Sequence, residues 1–225
     1  MANLLRLVGC LFLCVSLNSI AALSGRDFDG NLATFEAYYD DYQDITWLAD
    51  ANYSGTSGYA TDGLMNWDDA STWAANLTLN GQSDWRLPTT SQPDASCHFQ
   101  GNDISSGFDC AGSEMGSLFY DTLGNTSGLS GSSVATGPFN HVQIGYEVTY
   151  RYWSATESSS NTTRAWHFSF WDGRQGDTKK YRLRHAWAVH DGDVGFALVP
   201  LPAGITLFLS GFVGLGLMRG WSSQH

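Results

Sequence analysis

Basic residues are scarce in this chain: 11 Lys and Arg stand against 22 Asp and Glu, for a formal net charge of −11. A chain so acidic does not take nucleic acid as a partner by overall charge, because that binding grows with the number of phosphates neutralised by Lys and Arg. Cysteine is nearly absent, with four in 225 residues. No histidine pair has the i, i+4 spacing with a neighbouring acid that zinc proteases use, and no Gly-x-Ser-x-Gly elbow occurs, so neither chemistry has a motif to rest on. Internal repeats and long charge runs are also missing, which points away from solenoids and charged tails.

The two ends carry sorting information. Arg6, the apolar run Leu7 to Leu17 and the small residues of Ser19-Ile20-Ala21 form the n-, h- and c-regions of a signal peptide over 1–22, to be removed by signal peptidase. A buried helix is the plain alternative, but Leu11-Phe12-Leu13-Cys14-Val15 has no amphipathic period. Leu7-Val8-Gly9-Cys10 is similar to a lipoprotein box, yet it precedes most of the apolar run, so Cys10 reads as an ordinary residue of that run. At the other end, Val199-Pro200-Leu201-Pro202-Ala203-Gly204 leads into an apolar stretch, Ile205 to Met218, and then Arg219. Counted from Val199, it is long enough to cross a bilayer as a transmembrane helix.

Those C-terminal residues resemble an exosortase sorting signal of the PEP-CTERM type, with Pro200, Pro202 and Ala203 at the motif positions. The resemblance implies an exosortase-type processing enzyme as partner, a Gram-negative bacterium that makes extracellular polysaccharide, and a final place at the cell surface or in the matrix. The tail from Gly220 to His225 departs from it by lacking a basic cluster, so an anchor helix retained in the membrane stays open.

Between the signals, residues 23–198 suit one domain. That segment keeps nine basic residues and all 22 acidic ones, a balance of −13, which fits calcium, solubility or neutral glycans better than polyanions. No cofactor is expected, and calcium is possible but has no motif to support it. Cys97 and Cys110 are left as one pair in an oxidising compartment, and a disulfide between them adds roughly 3 kcal/mol by closing a loop of about 14 residues. Reactive thiols or metal ligation are the alternative, but Asp94, Asp103 and Asp109 supply no positive charge to hold a thiolate.

Two short helices come first. Asn66 caps one, with Asp68 and Asp69 in its first turn and Ala70, Trp73, Ala74 and Leu77 on one face. Ser113 caps the other, with Glu114 in its first turn, Met115, Leu118, Phe119 and Leu123 inward, and Gly124 as the stop. Strands are expected at Asp44 to Leu48, Val148 to Trp153 and Ala165 to Trp171. The last of these alternates Trp166, Phe168 and Phe170 with His167, Ser169 and Trp171, as a two-faced sheet would. Asp172-Gly173 signals a hairpin, with return strands over Lys179 to Leu183 and Arg184 to His190. The class is α+β, with short helices and antiparallel sheets.

The motifs Ile45-Thr46-Trp47-Leu48, Asp84-Trp85-Arg86-Leu87-Pro88-Thr89, Tyr152-Trp153-Ser154-Ala155-Thr156, Ala165-Trp166-His167-Phe168 and Ala186-Trp187-Ala188-Val189-His190, in this order, resemble the domain at the C-terminus of the Legionella collagen-like adhesin. The resemblance covers most of Asp40 to Val194. It implies a single domain like the C-type lectins and formylglycine-generating enzymes, and a role in adhesion and in binding extracellular polysaccharide. The adhesin's ligands are sulfated, whereas this domain is acidic with scattered Arg and Lys. The usual Val-Arg-Pro-Gly-Asp ending is Val189-His190-Asp191-Gly192-Asp193 here, which loses an Arg and gains a carboxylate.

Trp85, Arg86 and Pro88 read as a structural motif with Trp153, Trp166 and Trp187, and Glu114 is the expected partner of Arg86. Tyr150, Tyr152, Trp171 and Tyr181 are strand aromatics able to stack on sugars, and core packing is the alternative for each. Trp171 is the leading surface residue, with Tyr152, Tyr181 and Asp172 beside it in the expected site. Gln92-Pro93-Asp94 matches a tripeptide that holds calcium and galactose in some C-type lectins, but the companion Trp-Asn-Asp is missing. Asp27-Phe28-Asp29-Gly30-Asn31 spaces its oxygens before a Gly and lacks the closing Glu of a calcium loop. Glu114, Glu147 and Glu157 are the acids a glycosidase would need to bring together. The leading reading is a non-catalytic surface or matrix protein that binds glycan, exopolysaccharide or another envelope component. A structural matrix protein without a ligand is the alternative, and an enzyme of the same superfold comes third.

Overall fold

A computed structural model describes residues 23–195 apart from 32, 102, 103 and 129. The signal peptide expected over 1–22, and the sorting signal and membrane helix expected over 199–225, lie outside the described residues. Among those described, no helix is long and apolar enough to cross a membrane.

The architecture is a small mixed fold of short helices and antiparallel sheets. Strands β1 (Leu23–Arg26), β2 (Ala37–Asp40) and β3 (Ile45–Leu48) precede a one-turn helix, α1 (Tyr53–Thr56), and the longer α2 (Trp67–Asn76). A two-residue hairpin, β4 (Phe99–Gln100) and β5 (Ser105–Ser106), is followed by α3 (Glu114–Ser117), which widens into a π-helical turn over Leu118–Thr122. Strands β6 (Arg151–Glu157), β7 (Arg164–Ser169), β8 (Gln175–Lys179) and β9 (Val189–Asp191) complete the order. They build a sheet β1-β2-β3-β9, a sheet β6-β7-β8 and the small hairpin, and every named strand pair is antiparallel.

Helix α2 forms as its sequence dictates. The Asn66 side chain accepts the Asp69 N–H at 2.9 Å, and Ala70, Trp73 and Ala74 are buried on one face. Ser113 precedes α3 but does not cap it. Its hydroxyl accepts the Ser91 N–H instead, at 3.0 Å, tying α3 to the segment after Trp85-Arg86-Leu87-Pro88.

Strand placement needs four corrections. Two N-terminal strands precede the expected first one and cover its edge. β6 starts at Arg151 rather than Val148. The return strand runs over Gln175–Lys179, because the Asp172-Gly173 turn closes directly onto β7, with Phe168 opposite Gln175. Gly173 is required there: its φ is +77°, and a Cβ would sit 2.4 Å from the Tyr120 hydroxyl. Of the strand expected over Arg184 to His190, only Val189–Asp191 forms a ladder. The residues before it are extended, with Arg184 bridged to Met65 and His185 to Tyr152.

β7 was expected to show two unlike faces, yet Ala165 through Phe170 are all buried, His167 and Ser169 included. Both faces of the sheet are covered, which hides the polar positions as well. The centre of the core is Trp187. Its ring lies 5.1 Å from Trp47, 4.9 Å from Phe139, 5.5 Å from Tyr152 and 5.4 Å from Phe170, and its indole N–H donates to the Leu48 carbonyl at 2.8 Å.

Candidate functional site

The Trp-Arg-Leu-Pro motif is structural in its contacts. Trp85 is buried and donates its indole N–H to Gln82 O, and Pro88 O accepts the Ala155 N–H. Arg86 makes a two-pronged pair with Glu114, at 2.8 and 2.7 Å, as the sequence led us to expect. Glu114 also accepts the Thr89 N–H, and Arg86 reaches Asp191 on β9 as well. Burial opposes the Arg86 charge, but hydrogen bonds to Glu114 and Asp191 more than offset it and hold its pKa above the ordinary value. Asp193 is taken in the same way by buried Arg26. The acidic ending Val189-His190-Asp191-Gly192-Asp193 is thus bound by two arginines.

Trp153 and Trp166 belong to the core with Trp187. Trp153 donates to Met65 O, while the Trp166 indole N–H has no partner among the described residues. Cys97 and Cys110 form the expected disulfide. It staples the loop that carries β4 and β5, in which the Gln92 amide both donates to and accepts from the Ser105 backbone. Asp94 accepts from Ser96 and from the Gly112 N–H, so Gln92-Pro93-Asp94 is occupied as a loop brace rather than presented as a cation site. The Asp94, Cys97 and Cys110 atoms lie close together, but both sulfurs are in the disulfide. Asp27, Asp29 and Glu36 also approach one another, and each already accepts at least one backbone N–H of residues 28–31.

The four expected ligand residues do not converge. Tyr152 is a correction: it is fully buried against Phe170 and Trp187, and its oxygen accepts the Gln143 N–H at 2.6 Å, so it offers no face to a sugar. Trp171 is half-buried, with its ring packed where a Cβ on Gly131 would lie 2.9 Å away. The Asp172 carboxylate accepts the Arg174 N–H inside its own turn. Tyr181 is 64% exposed. It follows β8 at the Lys179 end, whereas Trp171 and Asp172 sit at the turn end, a strand length of roughly 15 Å away.

Around Tyr181 lies a groove of about 510 Å³ between Val148-Thr149 and the Thr178 to Arg184 segment. The Lys179 ammonium and the Arg182 guanidinium flank the Tyr181 ring, at 5.7 and 5.4 Å from its centroid. Val148 and Leu183 are exposed at its rim. Arg184 is buried. It donates to Val148 O, lies over the Trp153 ring, and its Nε has no partner. Burial, followed by the charges of Arg151 and Arg182, pushes its pKa down to about 10.

Of the nine basic residues between the two signals, Arg26, Arg86, Arg164 and Lys180 are in ion pairs. The other five, Arg151, Arg174, Lys179, Arg182 and Arg184, form none among the described residues, and all five fall between positions 151 and 184. Three of them, Lys179, Arg182 and Arg184, meet at the groove, while Arg174 lies at the turn end of β8. Buried His167 registers the resulting field: burial, then Arg184, Arg151, Arg174 and Arg164, hold it far below the usual histidine range.

His185 lies between this region and α1. Its Nδ1 is 3.1 Å from the Asn52 side-chain oxygen, and burial pushes its pKa down to about 4. A histidine neutral in the fold and protonated in the unfolded chain costs nothing above pH 6.5 and progressively favours unfolding as the pH falls toward 4. About 3 kcal/mol of stability is expected to disappear across that window. Asp177 and Asp191, with pKa values lowered by Arg164 and Arg86, lose their contribution only below the ordinary carboxylate range. Urea midpoints between pH 4 and 7 check this, and His185→Gln should reduce the slope while leaving the part that buried His167 contributes in the same direction.

Taken together, these features define a small α+β domain whose built feature is a cationic, aromatic surface groove, with its acidic β9 end tied down by arginine. The Lcl C-terminal domain matches residues 36–190, more than half of the chain, and the protein belongs to that family. The family is one of surface adhesin-like proteins and is not known as catalytic. The chain matches no curated protein and no solved structure.

Proposed function

We propose that this protein is an exported, non-catalytic, lectin-like surface protein that binds acidic polysaccharide in the groove around Tyr181. The observation that carries this reading is the set of three cations without carboxylate partners, Lys179, Arg182 and the buried Arg184, gathered beside exposed Tyr181, Val148 and Leu183. An uncompensated buried guanidinium is expensive, and an anionic ligand offsets that cost. The aromatic ring and aliphatic rim suit the apolar face of a pyranose, while Thr149 and Thr178 add hydroxyls within the same groove. A carboxylate or a sulfate would satisfy the same donors.

Glycosidase chemistry gains no comparable support. Glu114 is bound by Arg86 and Glu157 by Lys180, so two of the three acids are already neutralised.

The test is co-sedimentation of the full chain, in detergent, with alginate as a polyuronate and dextran sulfate as a polysulfate. Arg182→Glu and Tyr181→Ala should each weaken binding roughly tenfold or more, and Trp171→Ala should leave it unchanged. Alginate retained by Arg182→Glu at wild-type affinity would remove the groove from the account.

A further inference from the structure

A second cavity, of about 870 Å³, separates the disulfide-stapled β4–β5 hairpin from the turn between β6 and β7. It shares no residue with the cationic groove. Its hairpin wall is apolar, made by Pro93, Ile104 and Phe99, and Phe99 is 56% exposed. Among the described residues the Phe99 ring packs face or edge against no other aromatic ring. The opposite wall is polar: Thr156, Ser159, Ser160 and the Glu157 carboxylate. Lys180 pairs with Glu157 and lies 4.0 Å over the Trp67 ring, so the one acid on this wall is neutralised in place.

The base of the hairpin, where Phe99 sits, is braced by several bonds. The Gln100 amide donates to Asp94 O and Cys97 O and accepts from the Ser105 hydroxyl, Gln92 grips the Ser105 backbone, and the disulfide closes the base. An exposed aromatic ring in so braced a loop is costly to leave in water and loses little entropy when it is covered.

We infer that this cleft is a second saccharide site, for a neutral hexopyranose. A pyranose has an apolar C–H face, which matches Phe99 and Pro93, and a hydroxyl rim, which matches Ser159, Ser160 and Glu157. The balanced charge of the cleft discriminates against the acidic sugars that the cationic groove selects. The size is that of an ordinary small-ligand pocket, enough for a few sugar units. This inference rests on the reading of the protein as a polysaccharide binder, but not on the Tyr181 groove.

The experiment is saturation-transfer NMR on the full chain in deuterated detergent with cellohexaose, maltohexaose, mannohexaose and β-1,4-galactohexaose. At least one should receive saturation at its ring C–H protons. Phe99→Ala, and Ser159→Arg, which fills the cleft, should each weaken that binding roughly tenfold, with Phe99→Tyr retaining it. Both altered residues are exposed, and unchanged thermal unfolding confirms the fold. Transfer to none of the four, or transfer indifferent to Phe99→Ala, overturns the inference. Arg182→Glu should leave neutral binding intact and Phe99→Ala should leave alginate binding intact: alginate bound with no neutral sugar bound overturns this inference alone, and neither bound overturns the polysaccharide reading on which it rests.

Discussion

Trp187→Ala is expected to lower the unfolding temperature by about 10–15 °C, a loss of about 4 kcal/mol. The indole is fully buried, touches four other aromatic rings, among them Trp47 of one sheet and Tyr152 of the other, and satisfies the carbonyl of Leu48. Truncation leaves a cavity whose walls are large, interlocked rings with little room to collapse, and strands an accepting carbonyl as well. Since whole-domain stability is typically about 5–15 kcal/mol, this one change consumes much of the total. Near-UV circular dichroism during heating is the measurement. A shift under about 3 °C would show that the ring cluster is not the organising contact between the two sheets.

The second large effect is expected at Arg86. Arg86→Ala removes both bonds to Glu114 and the link to Asp191, leaving Glu114 half-buried with the Thr89 N–H as its remaining partner. Stripping one side from such a pair costs about 3 kcal/mol. Arg86→Lys should recover less than half of it, because an ammonium does not reproduce the planar two-pronged grip. Asp191→Asn is the control. Its side chain is 77% exposed, so the change should cost under about 1 kcal/mol. Equilibrium urea unfolding of the three variants distinguishes a buried ionic hub from a surface pair, for which all three would be small.

The parts of the fold governed by local rules were legible before any coordinates. The Asn66 cap and the Ala70, Trp73 and Ala74 face of α2 follow from spacing alone, as does the Asp172-Gly173 turn. The Cys97–Cys110 pairing and the Arg86–Glu114 pair were legible for a different reason: few partners of the right kind were available. Alternation misled on β7, because its polar His167 and Ser169 face is covered too, so period two no longer separates water from core. The same ambiguity placed Tyr152 in a binding face, although a strand aromatic reads identically whether it meets a ligand or Trp187. The cationic groove did have a linear signal. Lys179, Arg182 and Arg184 fall within a short stretch of an acidic chain. Net charge concealed it, since the total counts the paired Arg26, Arg86 and Arg164 equally with the unpaired residues. Only the ion-pair partners show which charges remain available.

Asp191 and Asp193 illustrate the same point from the acidic side. Read as added carboxylates at the end of the last motif, they argue against an anionic ligand. In the structure Asp191 is paired to Arg86 and Asp193 to Arg26, and neither lines the groove.

The central claim, an acidic-polysaccharide site at Tyr181, is tested most directly by comparing alginate with the same polymer after its carboxyl groups are reduced to alcohols. The full chain should bind alginate saturably, with an affinity that falls as salt rises, and should lose that binding to the reduced polymer while Phe99→Ala leaves it unaffected. Equal binding to both polymers would contradict the account, because the unpaired cations of the groove, Lys179, Arg182 and Arg184, would then have no part in recognition.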